Sequence, residues 1–219
     1  DIPRMHPGIA EVKTVALRRW RKKLFSKATW CEIALLKKQL RAKAYDLVLD
    51  TQGLVKSALL ARLADAPHHG YDRHSIREPL ASCFYDIRHA VSRSQHAVPR
   101  NRELAASALG YPNPTSHPDY GIEPIGEMPE LPARYIIGLH GTSRDSKLWH
   151  VSHWIDLAHD LYQHQLALIL PWGNVQEYDR ANDIALMTPH TVVLRRLGLP
   201  ALALITQGAQ AAVGVDTGL

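Results

Sequence analysis

Thr142, Ser143 and Lys147 sit in the segment HGTSRDSK (140–147), directly after an apolar run, Tyr135–Leu139. Two hydroxyls, a cation and the N–H groups of a turn are what a phosphate or diphosphate needs. Glu177 follows a second apolar run, Leu166–Leu170, and a Pro-Trp-Gly turn. It stands where a helix should start, and a carboxylate there can accept two hydroxyl hydrogen bonds from a ribose. A third run, Ala211–Val215, delivers Asp216, Thr217 and Gly218: a small turn, a carboxylate and a hydroxyl, suited to sugar hydroxyls or to backbone contacts beside a phosphate. Each signal is weak alone. Thr, Ser and Asp ahead of a helix are N-caps more often than ligands, and Asp-Thr-Gly is also a plain turn.

What raises their weight is the pattern that must position them. Strands are predicted at Tyr135–Leu139, Leu166–Leu170, Thr191–Leu194 and Ala211–Val215. Helices are predicted between them at Ser152–Gln163, Val175–Ala185 and Pro200–Gln207. Strands alternating with helices build a parallel sheet from βαβ units, and such sheets bind ligands at the carboxyl ends of their strands. All three loops fall at such ends, and a helix opening after the first adds the positive end of its dipole.

The first half reads less cleanly. Lys13–Leu17 is a candidate edge strand, Thr29–Ala44 an amphipathic helix, Asp46–Asp50 a short buried strand and Leu54–Ala64 a second helix. Arg77–Tyr85 reads as a helix with Pro79 in its first turn. Ala97–Leu109 is another, closed by Gly110. Pro112, Pro114, Pro118, Pro124, Pro129 and Pro132 mark an extended connector. The expected domains are residues 1–118 and 135–219, with 119–134 as linker.

The chain has 219 residues, 46% hydrophobic and 21% charged, the composition of a globular protein. No apolar run approaches the roughly 18 residues of a bilayer span. Two cysteines, Cys31 and Cys83, give no disulfide framework and fit a reducing compartment. The net charge of +5 is uneven: Lys13–Lys43 holds eleven Lys or Arg and one acid, Glu32. That field favours an anionic partner such as nucleic acid, phosphorylated lipid or an acidic sugar, or it is a solvated helix face. Trp20 and Trp30 within it suit either a lipid headgroup surface or core packing.

Taken in order and spacing, LRRWRK (17–22), DTQGLVKSA (50–58), REPLASCFY (77–85), QHAV (95–98), HGTSRDSK (140–147), LPWG (170–173) and VDTGL (215–219) resemble the ADP-heptose:lipopolysaccharide heptosyltransferases of glycosyltransferase family 9. The LRRWRK segment leans toward the branch that adds the first heptose of the inner core. The resemblance covers essentially the whole chain. It implies an α/β fold of GT-B type, two Rossmann-like domains facing a cleft, both incomplete here.

It also implies roles. Thr142, Ser143 and Lys147 would bind the diphosphate of ADP-heptose, Glu177 its ribose, and Asp216, Thr217 and Gly218 the heptose and diphosphate. Arg18, Arg19, Arg21, Lys22 and Arg77 would meet the anionic Kdo sugars and phosphates of a Kdo-lipid A acceptor. The reaction implied is inverting transfer to Kdo at the inner face of the cytoplasmic membrane, by a protein in peripheral contact with that membrane. Lys147 would be the catalytic group, stabilising charge that grows on the leaving diphosphate. Arginines fit carboxylate and phosphate through their planar fork.

Ser143 departs from a second expected Thr but keeps the hydroxyl. A strand, Gly-rich turn and helix carrying the Asp expected as general base would precede Asp1. A helix lying over the donor phosphates would follow VDTGL. The expectation is therefore a segment trimmed at both ends that turns over hardly at all, and a non-catalytic remnant stays open as an alternative. Asp46 and Asp50 read as structural. No D-x-D pair is present, so no obligatory metal and no cofactor are expected. His68-His69, His150/His153 and His159/His164 lack partners at metal-ligand spacing. A nucleic-acid partner is not expected, because no stacking motif or helix-turn-helix accompanies the basic segment.

Overall fold

The computed structural model describes residues 2–216, so Thr217 and Gly218 lie outside the described residues. The chain divides into two units, one formed by Thr14–Asp119 and the other by residues 2–13 together with 120–216.

In the first unit a basic helix, α1 (Leu17–Lys22), precedes α2 (Lys27–Arg41). The sheet that follows has three parallel strands in sequence order: β1 (Val48–Leu49), β2 (His68–Tyr71) and β3 (Ile87–His89). α3 (Val55–Ala61) connects the first two strands, and α4 (Ala97–Leu109) follows the last. Ala58, Tyr71, Ile76, Ala81, Tyr85, Val91 and Leu104 form its core. Gly110 closes α4 in the left-handed region, φ 74°, as the helix-stop pattern requires.

Two expectations fail here, and two strands form that the sequence pattern does not predict. Lys13–Leu17 forms no strand; Leu17 instead begins α1. Arg77–Tyr85 is not an α-helix but a tighter 3-10 helix, Pro79–Phe84. The strands β2 and β3 were not foreseen, because HHGY and IRH carry no apolar alternation. Burial of His68 and His69 is possible only because each imidazole finds a polar partner. His68 meets the Asp86 carboxylate and the Ala61 carbonyl (3.1 and 2.7 Å), and His69 meets His89 (3.0 Å).

The second unit is the regular one. Its strands β4 (Tyr135–Leu139), β5 (Ala167–Leu170), β6 (Thr191–Val193) and β7 (Ala211–Gly214) are parallel, in the order β6-β5-β4-β7. The helices α5 (Val151–Gln163), α6 (Val175–Leu186) and α7 (Leu199–Gly208) lie between them in sequence. Side chains alternate across the sheet. Leu168 and Leu170 pack with Trp154, Ala158, Ala181 and Ile184, whereas Tyr135, Ile137, Ala167 and Ile169 pack with Leu194 and Ile205. Both faces are thus covered, as a parallel sheet demands. Each of these large buried side chains contributes about 1.5–3 kcal/mol. Residues 111–134 contain no helix or strand, in keeping with their prolines.

The division differs from the expected one in where residues 2–13 and 120–134 belong. Met5 is buried, its carbonyl accepts from Glu123 N–H (2.8 Å), and the turn Ile2–Met5 packs on α7. The N-terminal segment is therefore part of the C-terminal unit.

Candidate functional site

In the second sheet the strand order reverses at β4: β5 and β6 build outward on one side, and the chain then returns to place β7 on the other. A crevice opens outside the carboxyl ends of strands at such a switch point. The segment after β4 is Gly141–Lys147 and the residue two beyond β7 is Asp216. The register continues past β7, with Val215 N–H donating to Leu139 carbonyl (3.1 Å), so the two ends stay side by side.

Three of the expected donor-site residues converge there. Thr142 Oγ1 donates to the Asp216 backbone carbonyl (2.8 Å), and Lys147 Nζ donates to the Asp216 carboxylate. Lys147 is aimed by a 3-10 turn, Asp145–Lys147, rather than by a helix. The helix expected at Ser152–Gln163 runs from Val151 to Gln163, starting four residues beyond Lys147, and its first turn is capped by His150 Nδ1, which accepts from Ser152 N–H (3.3 Å). The positive character of the loop thus rests on Lys147 and the turn's own N–H groups. Ser143 is exposed beside Thr142. A cavity of about 400 Å³ adjoins the loop, lined by Ser146–Trp149, Trp154 and Val213–Val215. Both ends of the Lys147–Asp216 pair face solvent, so it is worth about 0–1 kcal/mol. A multiply charged anion can take the ammonium over at little cost.

Glu177 reaches the same place from β5. Asn174 caps α6 by accepting from Glu177 N–H (2.9 Å), and Glu177 Oε2 accepts from Gly173 N–H (2.7 Å). The Asn174 cap and the Gly173 N–H together fix the carboxylate. Its other oxygen lies so close to Gly141 that a Cβ there would sit 2.6 Å from Oε1. Glycine at 141 is what lets the two strand-end loops touch. Behind them His140 is buried, with Nε2 against the Pro171 carbonyl (3.0 Å), and Arg180 donates to the His140 carbonyl (3.3 Å). A carbonyl only accepts, so Nε2 carries the proton. Burial pushes the imidazole below its usual value, and the nearby Arg180 adds to the shift. His140 is therefore a neutral strut between the loops.

Sequence reasoning missed Gly141, Asn174 and Arg180. The Asn174/Glu177 spacing carried a capping signal, and Arg180 lies one turn from Glu177 on the same helix face. Nothing local marks Gly141.

The basic residues belong to the other unit. Arg18, Arg21 and Lys22 are exposed on α1, and Arg77 is exposed just ahead of the 3-10 helix. Arg19 is engaged: it and the Trp20 indole N–H both donate to Glu32 Oε2 (2.6 Å each). Asp50 is fully used within the fold. It accepts from Ser57 Oγ (2.7 Å), Tyr85 Oη (2.8 Å) and the N–H groups of Gln52 and Gly53 (2.9 and 3.3 Å). Burial and this carboxylate push the Tyr85 phenol far up, keeping it a donor. Among the described residues no helix is long and apolar enough to cross a membrane.

Residues 33–219 match the family described as glycosyltransferase family 9 (heptosyltransferase). Lipopolysaccharide heptosyltransferase 1 of Escherichia coli K12 is 42% identical over 222 residues, covering 100% of this chain and 70% of that protein. Two solved structures of the E. coli heptosyltransferase WaaC superpose closely, each 42% identical and covering 99% of this chain. The one with ADP has TM-score 0.91 and is covered to 69% of its length; the one with ADP-2-deoxy-2-fluoro heptose has TM-score 0.93 and is covered to 70%.

Proposed function

The chain belongs to glycosyltransferase family 9, the heptosyltransferases, with the α/β architecture of GT-B type shared by its structural neighbours; from that premise we propose that it moves heptose from ADP-heptose to a Kdo sugar of Kdo-lipid A, with inversion at the transferred carbon. The observation that carries the reading is the convergence of Thr142, Lys147 and Asp216 at the switch point, with Glu177 held against Gly141.

In the proposed complex the donor diphosphate takes Lys147 from Asp216, while Thr142 and Ser143 supply hydroxyls. Glu177 Oε1 accepts from the ribose, leaving Oε2 on Gly173. Asp216, released from Lys147, turns to the heptose, for which Thr217 and Gly218 are also proposed contacts. The acceptor hydroxyl oxygen bonds to the anomeric carbon as the bond to the diphosphate oxygen breaks. Lys147 meets the charge that this bond leaves behind, and an ammonium placed there serves without a metal. The acceptor proton leaves to a base, and Asp50 is not that base, since four donors already occupy it.

Arg18, Arg19, Arg21, Lys22 and Arg77 are the proposed contacts to the anionic acceptor, which places the protein peripherally at the inner membrane face. Mass spectrometry of a Kdo-bearing glycolipid incubated with ADP-heptose tests the proposal. With a chain that also carries the general-base Asp, the expected result is a gain of one heptosyl group, abolished by Lys147→Ala; without that Asp, hardly any turnover is expected. With that Asp present, an unchanged glycolipid in the presence of bound donor overturns the transfer.

A further inference from the structure

We propose that the turn between α1 and α2 is a docking face for an anionic lipid bilayer, with Leu24, Phe25 and Trp30 entering the interface and Lys23 and Lys27 holding headgroups. This rests on the reading of the acceptor as a lipid-linked sugar, and it assigns a contact which that reading does not.

Exposure is the first observation. Phe25 is 101% exposed, Trp30 59% and Leu24 53%. Single exposed apolar side chains are ordinary; two neighbours in sequence joined by an aromatic ring from the next helix are a patch.

The second observation is that the patch is held in shape. Behind the turn, Trp20 is buried and Glu32 receives both Trp20 and Arg19, clamping α1 to α2. In front, Trp30 Nε1 donates to the Leu24 carbonyl (2.8 Å). Ser26 N–H donates to the Lys23 carbonyl (3.1 Å), closing the turn. The two tryptophans that the sequence could not separate thus divide, Trp20 to packing and Trp30 to the surface.

The third observation is charge. Arg21, Lys22, Lys23 and Lys27 flank Leu24 and Phe25 in sequence and are exposed. The single acid of the segment, Glu32, is already neutralised by Arg19. Cations flanking an exposed apolar turn repel a second copy of the same turn. The turn complements a surface that is negative outside and apolar a few ångströms below, which is an anionic bilayer. Indole rings settle at the headgroup level, where Trp30 would lie.

Vesicle flotation of the full chain tests the docking face, with ADP titration run beside it. The chain should float with phosphatidylglycerol-containing vesicles, and weakly with pure phosphatidylcholine. Phe25→Glu should weaken partitioning about tenfold, and Lys23→Glu/Lys27→Glu similarly, both with ADP affinity unchanged. Since Phe25 is fully exposed, its replacement does not threaten folding. Equal flotation of Phe25→Glu and the parent, no flotation at all, or self-association of the parent that Phe25→Glu abolishes would each overturn the docking face. Loss of ADP binding by the parent would instead strike the donor reading and leave the vesicle result standing.

Discussion

A single missing side chain at Gly141 decides how close Glu177 stands to the phosphate loop. An alanine Cβ would press on the carboxylate at 2.6–2.7 Å, but that carboxylate ends a flexible side chain and can swing away. Gly141→Ala should therefore change stability by less than about 0.5 kcal/mol. It should weaken ADP about tenfold, or ~1.4 kcal/mol, read by calorimetry against a melting curve. A variant that binds ADP like the parent would show that Glu177 does not hold the nucleotide. His140 supports a prediction about pH. Its folded-state value is depressed, so the unfolded chain binds the proton first as pH falls through about 6.5. Stability is therefore full above that value and declines as pH falls below it toward pH 5, at up to about 1.4 kcal/mol per pH unit for one proton. His89, also depressed by burial, acts in the same direction. Denaturant midpoints from pH 8 to 5 should fall less steeply for His140→Gln, whose amide can still reach Pro171; equal slopes would contradict the account. At this scale Thr142, Lys147 and Glu177 were legible because hydroxyl, ammonium and carboxylate follow apolar runs. Gly141 was not, since its meaning depends on a residue 36 positions away in the sequence.

Among the elements, regularity of the apolar pattern decided what could be read. β4 and β5 are apolar throughout and packed on both faces, and α5 and α6 present helical stripes to them. Their existence and order followed from sequence. β2 could not be read, because its burial depends on partners supplied from elsewhere: Asp86 for His68, His89 for His69, and the Tyr85 ring for Gly70. That last contact gives the sharpest test of the first sheet. A Cβ at Gly70 would meet the Tyr85 ring at 2.3–2.6 Å. Tyr85 cannot yield, being buried and anchored through its hydroxyl to Asp50. Gly70→Ala should cost about 1–3 kcal/mol, seen as a lower denaturant midpoint. An unchanged midpoint would mean that Tyr85 is not fixed as described. The 3-10 helix at Pro79–Phe84 was misread as α-helix because proline at a first turn suits both.

Across the whole molecule, the proposed roles separate by unit. Thr142, Ser143, Lys147, Glu177 and Asp216 belong to the unit of residues 120–216, and the proposed acceptor cations belong to Thr14–Asp119. The excess of positive charge is concentrated in the Thr14–Asp119 unit, where the proposed anionic acceptor would be met. The prolines of 111–134 announced a connector. The return of residues 2–13 onto the C-terminal unit had no local signal, since it rests on one distant backbone hydrogen bond and on the packing of Ile2–Met5 against α7. The central claim is that the switch point of the second sheet holds a nucleoside diphosphate. Calorimetric titration of the chain with ADP tests it most directly. The account predicts one saturable site, weakened at least about tenfold by Lys147→Ala and by Glu177→Ala while circular dichroism stays unchanged. No binding by the folded parent, or an affinity that neither substitution alters, would contradict it.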